Sequence, residues 1–548
     1  MVQQQVPVVA IMCSPKSASS NTPDQSPRRH SSKNRQTFLR TFLIFVRVCF
    51  DSFINIIFSF IYKDKAFPLP PVKNKIVLES ATQIAKKIRN KNITSVEVVQ
   101  AFIERIEQVN PYLNAMVDTR YTEALEEAKA ADQKIALEED ISDKPYLGVP
   151  FTSKESTACK GLSNTLGLLA RKGKKADADA YIVERVKAAG GILLGNTNIP
   201  ELLWSESRNM VYGQSNNPYN LCRTTGASSG GEACLVSACG SVLGLGTDLG
   251  GSNRIPALYC GVYGHKLTTG SVNSKGIYGR DGKEGKSMLA AGPIVKHAED
   301  LLPYSKCLIL PDKLPAYNFD KSVDLAKLKV FYVEEPGDMK VSPMSKDMIQ
   351  AIRKCVNALK VVSHSEPKDL SHIKQFRLGY DVWRYWVSKE KDDFCKMLYD
   401  FKGEAVWWKE LIKLPLGMCT ITFSSILKLI DMQLPLPSDQ WAKEHTEILK
   451  TKLTELLGDN GVLVFPAAPE SAPYHYATFF RPYNFTYWAL FNILDFPVTN
   501  VPVGLDGKGL PLGVQVIAST NNDRICFAVA EYLEQSGVAG WNKPFSAF

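Results

Sequence analysis

The sequence is poor in the patterns that build metal centres. Its seven histidines are scattered, and its twelve cysteines show no CxxC spacing and no Cys/His cluster. No metal and no cofactor are expected, and the cysteines read as small, reduced, buried hydrophobes. An excess of charge is also missing from most of the chain. Of the net +9, residues 1–40 carry +5 (six bases, one acid) and residues 41–75 carry +3 (five bases, two acids), which leaves +1 for the other 473 residues. A nearly neutral body has no footprint for a polyanion, so no nucleic-acid partner is expected. Neither an internal repeat nor a linker appears after residue 76. The simplest organisation there is one large domain, 76–548.

What is present is unevenly placed. Residues 1–36 are rich in Ser, Pro, Gln and bases and read as a disordered basic tail. TFLIFVRVCFDSFINIIFSFIY, Thr41 to Tyr62, lies within a membrane segment set at 37–66 and is long enough to cross a bilayer. Arg47 and Asp51 interrupt it at i, i+4 and can pair on one helix face. Two central charges cost about 5–7 kcal/mol on the insertion scale, and its fourteen Phe, Leu, Ile and Val residues return about 4–8 kcal/mol. Spanning and lying on the bilayer therefore balance. A cleaved signal peptide fits poorly, because the run is long, internally charged and without a small-residue cleavage site. Two sequons, Asn92 and Asn484, matter only if the body is lumenal. The bases before Thr41 favour a cytosolic N-terminus, and hence a lumenal body, if the segment spans.

From residue 76 onward, helical and strand patterns alternate. Thr94 and Glu97 form a capping box for a helix expected to run to Pro111. YTEALEEAKAADQKIALEE is a second helix, and PYLGVPFTSKES a strand ending at Lys154. A helix over 179–189 stops at Gly190 and Gly191, followed by the strand ILLG. LVSACGSVLGLGTD reads as helix then strand, and VLVFPAAP, PVTNVPVG and LPLGVQVIA add strands. This alternation predicts an α/β body with a mostly parallel sheet.

Two glycine-rich stretches stand out, GASSGG (226–231) and GTDLGGSNRIP (246–256), with no histidine beside them. As a dinucleotide loop the second has the wrong spacing, and Pro256 lies where a helix should begin. As a nucleophile elbow the first matches GxSxG, but a polar loop rather than an apolar strand leads into it. The remaining reading uses Lys154, a base only when neutral and so when desolvated. Closing an apolar strand, it should end half-buried at the sheet edge. A serine hydroxyl both donates and accepts, so Ser228 can relay a proton from Ser252 to Lys154. Gly250 and Gly251 would let backbone N–H groups approach a reacting carbonyl. Taken singly, Lys154 is an ordinary strand-end lysine and Ser228 a loop serine.

The full stretch GASSGGEACLVSACGSVLGLGTDLGGSNRIPA resembles the signature of the amidase signature family of serine hydrolases. The resemblance extends from about residue 78 to the C-terminus through GVPFTSKES, GHKLTTG, GPIVKHAEDL and GLPLGVQVIA. It implies a large mixed central sheet covered by helices, and a Ser–Ser–Lys triad. Carried over, Lys154 is the base, Ser228 the relay on a cis peptide and Ser252 the acyl-forming nucleophile. Backbone groups of Leu249, Gly250, Gly251 and Ser252 would be the oxyanion donors, with Thr247, Asp248 and Arg254 as supports. Asn253 departs from a usual aliphatic residue and is expected to affect the adjacent pocket. Leu267 replaces a usual proline.

Within the family, the apolar N-terminus, SNNPY, GHK and RPYNF are similar to the second, N-terminally anchored type of fatty-acid amide hydrolase. That likeness implies a lipid amide substrate, a membrane partner and an endoplasmic-reticulum or other intracellular membrane location, and leaves a homodimer open. Ala405 to Ile430, with Trp407 and Trp408, has the composition of interfacial helices and equally of a buried hairpin. A glutamine-hydrolysing amidotransferase subunit and a catalytically dead lipid-binding homologue are the alternatives.

Overall fold

In a computed structural model of the chain, residues 28–63, 68–283, 287–390 and 392–545 are described, with side chains from residue 41. The expected tail, residues 1–36, falls largely outside them; its last residues belong instead to the helix α1, Arg28–Tyr62. The chain forms two compact units, 1–49 and 50–548, so residues 50–62 of α1 belong with the body. The capping box is present: the Glu97 amide donates to Thr94 Oγ1 at 3.1 Å, and the Thr94 amide donates back to Glu97 Oε2 at 2.8 Å. It starts α2, Ser95–Leu113, which runs past the expected stop because Pro111 lies in its last turn. The next helices are α3, Tyr121–Ala136, and α4, Tyr181–Ala188, the latter ended by Gly190 at φ +92°.

Eleven strands form one sheet: β1 (Met116–Thr119), β2 (Pro150–Lys154), β3 (Ile192–Thr197), β4 (Leu243–Asp248), β5 (Tyr263–Lys266), β6 (Ala290–Val295), β7 (Lys329–Tyr332), β8 (Lys368–Asp369), β9 (Gly461–Pro466), β10 (Val498–Leu505) and β11 (Pro511–Ile517). Their order is β1-β3-β2-β4-β6-β5-β10-β11-β9-β7-β8. Only β2/β3, β2/β4, β7/β9 and β7/β8 pair in parallel; the other neighbours run antiparallel. The sheet is mixed, as the resemblance implied. The mostly parallel sheet expected from simple alternation is corrected: only the strands at β2 and at β7 are joined in the parallel way that helical crossovers allow.

β2, β3 and β4 are buried at every residue, including the polar residues Thr152, Ser153, Lys154, Asn196, Thr197, Thr247 and Asp248 at their C-terminal ends. Short helices bracket the site: α5, Gly230–Ser237, and α6, Arg254–Tyr259. Pro256 sits in the first turn of α6, where its missing N–H is not needed. Further along come α7, Gly379–Val387, α8, Trp407–Lys413, α9, Phe423–Asp431, and α10, Thr486–Ile493. The Ala405–Ile430 stretch therefore holds two short helices. Ile421, Ile426 and Leu429 are buried, while Trp408, Ile412, Leu416 and Met418 are exposed, so it has both an inner and an outer face.

Candidate active site

Lys154 ends β2 and Thr247 lies on the neighbouring strand β4, so the parallel pairing sets the two side chains side by side. The Lys154 Nζ donates to Thr247 Oγ1 at 2.8 Å and to Ser228 Oγ at 2.6 Å. Lys154 is fully buried, not half-exposed at an edge, because β2 has β3 on one side and β4 on the other. Burial pushes its pKa down to about 7, against the opposing negative charges of Asp248 and Glu232. An ordinary lysine is thereby brought to a value at which it can accept a proton near neutral pH.

Ser228 follows a cis Ala227–Ser228 peptide, and Ser229 leads into α5. The Ser229 amide donates to the Ser252 carbonyl at 3.0 Å, which joins the two glycine-rich segments. Ser228 is fully buried, whereas Leu249, Gly250 and Ser252 are partly exposed. Among these described residues, exposure to solvent is thus on the Leu249–Ser252 side. A Cβ at Gly251 would stand 2.5 Å from Trp488 Cβ, and its φ is +108°, so a larger residue would be strained there.

Asp248 organises the loop. Its carboxylate accepts the Gly251 amide at 2.7 Å, the Asn253 amide at 3.2 Å, and Arg254 Nε and Nη2 at 2.9 and 3.0 Å. Burial alone would raise this carboxyl, but the Arg254 guanidinium beside it holds it well below the usual carboxylate range. The Gly251 amide, one of the expected oxyanion donors, is engaged here by Asp248. Among the described residues, the amides of Gly250 and Ser252 have no such partner. Asn253 is fully buried, and its Nδ2 donates to the His265 carbonyl at 2.7 Å. The Leu267 amide donates to the Ala291 carbonyl at 3.3 Å, a bond that proline cannot make.

Several contributors escaped sequence reasoning. Asn492 on α10 donates to Asp248 and accepts from Arg254 Nη2 at 2.7 Å, and Gln515 on β11 accepts from Arg254 Nη1 at 2.6 Å. Glu232, on α5, is fully buried and accepts from Thr152, Thr197 and the Leu245 amide. Burial pushes its carboxyl up to about 7. His265 is not part of this group; it is buried between Thr499 and Asp523.

An apolar wall adjoins the loop. Trp383 Nε1 donates to the Leu249 carbonyl at 3.3 Å, and Trp383 packs with Trp204 and Phe485 at ring-centroid distances of 6.0 and 4.8 Å. Glu201 accepts from Thr422 and Ser425 and so fixes the N-terminus of α9 beside this wall. The set of a buried low-pKa lysine, two serines and an apolar wall suits acyl transfer.

The Amidase family pattern matches residues 97–527, most of the chain and the whole of this site. The chain belongs to the amidase signature family. It is an amide hydrolase. Among curated relatives it is 40% identical to fatty-acid amide hydrolase 2-A of Danio rerio, over 87% of this chain and 92% of that one. It is 39% identical to fatty-acid amide hydrolase 2 of Homo sapiens, over 86% and 92%. A solved fatty acid amide hydrolase shares the fold, with a TM-score of 0.69 at 22% identity over 86% of this chain and 87% of that one.

Proposed function

We propose that this amidase is a membrane-associated serine hydrolase that cleaves fatty acyl amides, either primary amides or N-acylethanolamines, to free fatty acid and amine. The observation that carries the chemistry is the 2.6 Å contact of Lys154 Nζ with Ser228 Oγ in a fully buried setting. Ser252 Oγ attacks the amide carbonyl; its proton passes to Ser228 as the Ser228 proton passes to neutral Lys154. The tetrahedral oxyanion is received by backbone N–H groups of the loop Leu249, Gly250, Gly251 and Ser252. The Lys154 ammonium then returns its proton through Ser228 to the leaving nitrogen, the C–N bond breaks and an acyl-enzyme remains. Water attacks this ester by the reverse relay and releases the acid. Thr247, Asp248 and Arg254 hold these groups in place.

The substrate class is supported by the aromatic wall against Leu249, by the outer faces of α8 and α9, and by the names of the Danio rerio and human relatives. Each CH₂ buried contributes about 0.8 kcal/mol, so a long chain offers binding energy that a short one lacks. Hydrolysis of oleamide, a short acyl amide and glutamine should be measured side by side, with fluorophosphonate labelling of the same preparation. Preference for oleamide is expected. Preference for glutamine would instead mark an amidotransferase subunit, and absence of labelling a dead homologue.

A further inference from the structure

The helix α1 carries two faces over residues 50–62, and the body holds one of them. Asp51, Ile54, Asn55, Phe58 and Tyr62 recur at i, i+3, i+4, i+7 and i+11, a single stripe of a helix. Arg481 Nε donates to Asp51 Oδ1 at 3.2 Å, and its Nη2 donates to the Asp51 carbonyl at 2.8 Å and to Asn55 Oδ1 at 2.9 Å. Arg481 also pairs with Glu470 at 3.0 Å. Ile54 is 4% exposed, and Tyr62 stacks on Tyr474 at 5.7 Å. Half a turn away, Phe53, Ile56 and Phe60 are exposed, Phe60 at 76%.

From this division we infer that the apolar helix does not cross the bilayer: Asp51 and Arg481 latch it to the catalytic body, and only its Phe53–Ile56–Phe60 face enters one leaflet. The inference rests on the membrane reading proposed above. A latched helix and a spanning helix exclude one another. With residues 50–62 on the body, what is left of the apolar run is 41–49, itself interrupted by Arg47 and about 14 Å of helix against a hydrocarbon core of ~30 Å. Spanning with the latch closed would carry Glu470 and Arg481 toward hydrocarbon, where such charges are costly. The leaflet face continues across the body. Phe480 packs on both Phe50 and Phe58, and its neighbour Phe479 packs on Phe423 of α9 at 5.5 Å. A single apolar surface thus runs from α1 to α9, beside the wall that reaches Leu249. The N-terminus and the body then lie on the same side of the membrane, the reverse of the arrangement that spanning would impose.

The test uses the full-length protein in sealed microsomes, with epitopes at both ends. The expected result is a pelleting protein whose two epitopes are equally open to added protease. Epitopes on opposite sides would overturn the inference and leave the membrane reading standing; failure to pellet would overturn both. The latch is tested by Asp51→Arg and Arg481→Asp. Each should speed tryptic cleavage after Lys63 several-fold, and the double charge reversal should restore slow cleavage. Unchanged cleavage in both single variants would also overturn the inference. Hydrolysis of a short soluble amide checks that each variant is folded, and where one is not, the epitope result decides.

Discussion

The Lys154 ammonium nitrogen stands 2.6 Å from the Ser228 hydroxyl, and neither side chain is exposed at all. Ser252, by contrast, is partly exposed and is tied to this pair through the Ser229 amide. That difference supports the proposed roles, with Ser252 as nucleophile and Ser228 as relay. Ser252→Ala should abolish fluorophosphonate labelling and turnover. Ser228→Ala should keep a residual rate, lowered by roughly 10²–10⁴-fold as for loss of a general acid–base group. Mass spectrometry of the labelled protein should place the adduct on Ser252; an adduct on Ser228 would reverse the two roles.

The pH dependence follows from the lysine. It accepts a proton only when neutral, so kcat/KM should rise as pH passes upward through about 7. Glu232 favours the charged lysine, so Glu232→Gln should lower the Lys154 pKa further and move this limb to lower pH. His265→Ala should leave the limb in place, because that ring is bonded to Thr499 and Asp523. A pH series of kcat/KM on the wild type and both variants checks all three.

Lys154→Ala should penalise amides more than esters. The lysine both removes a proton from the nucleophile and supplies one to the departing nitrogen, while an alkoxide leaves with less help. The ratio of amide to ester kcat/KM should therefore fall in this variant. An unchanged ratio would mean that another group protonates the leaving amine.

Asp248 and Arg254 form a fully buried ion pair, whose single truncation leaves the partner charge uncompensated at a cost of about 3–5 kcal/mol. Arg254→Met should lower the midpoint of urea unfolding accordingly. Because the folded-state Asp248 pKa is depressed, its contribution is present above the unfolded value of about 3.9 and is lost as pH falls through the folded value. The stability gap between wild type and Arg254→Met should hence narrow in strong acid.

Much of this site is legible in the chain because its parts are close in sequence. Ser228, Thr247, Asp248, Ser252 and Arg254 fall within one stretch, and Lys154 ends a recognisable strand. Asn492 and Gln515 are not legible, since no local spacing links them to an aspartate more than two hundred residues earlier. Glu232 left a weak trace as a lone carboxylate in an apolar helix. Strand alternation misjudged the sheet because β5 and β6 return antiparallel between β4 and β10, which a list of strands does not reveal. The burial of Lys154 was missed for the same reason: a strand end looks exposed until both of its neighbours are known.

The acyl-chain preference should depend on Trp383. Its ring lies against the oxyanion loop, with Nε1 on the Leu249 carbonyl, and it forms the centre of the Trp204–Trp383–Phe485 wall. Removing the indole deletes apolar surface along which a fatty chain would lie. It also frees the Leu249 carbonyl, whose bond steadies the loop before Gly250. The two effects separate by substrate. Trp383→Phe keeps most of the apolar wall and loses only the N–H, so it should slow long and short amides alike. Trp383→Ala loses both, so its kcat/KM should fall further for oleamide than for a short acyl amide. At about 0.8 kcal/mol per CH₂, the loss of even three buried methylenes would cost about fiftyfold on the long substrate alone. Steady-state kinetics on a homologous series of primary amides would read this as a flattened dependence of kcat/KM on chain length. An equal drop at every length would place the acyl chain elsewhere and reduce Trp383 to a support for the loop.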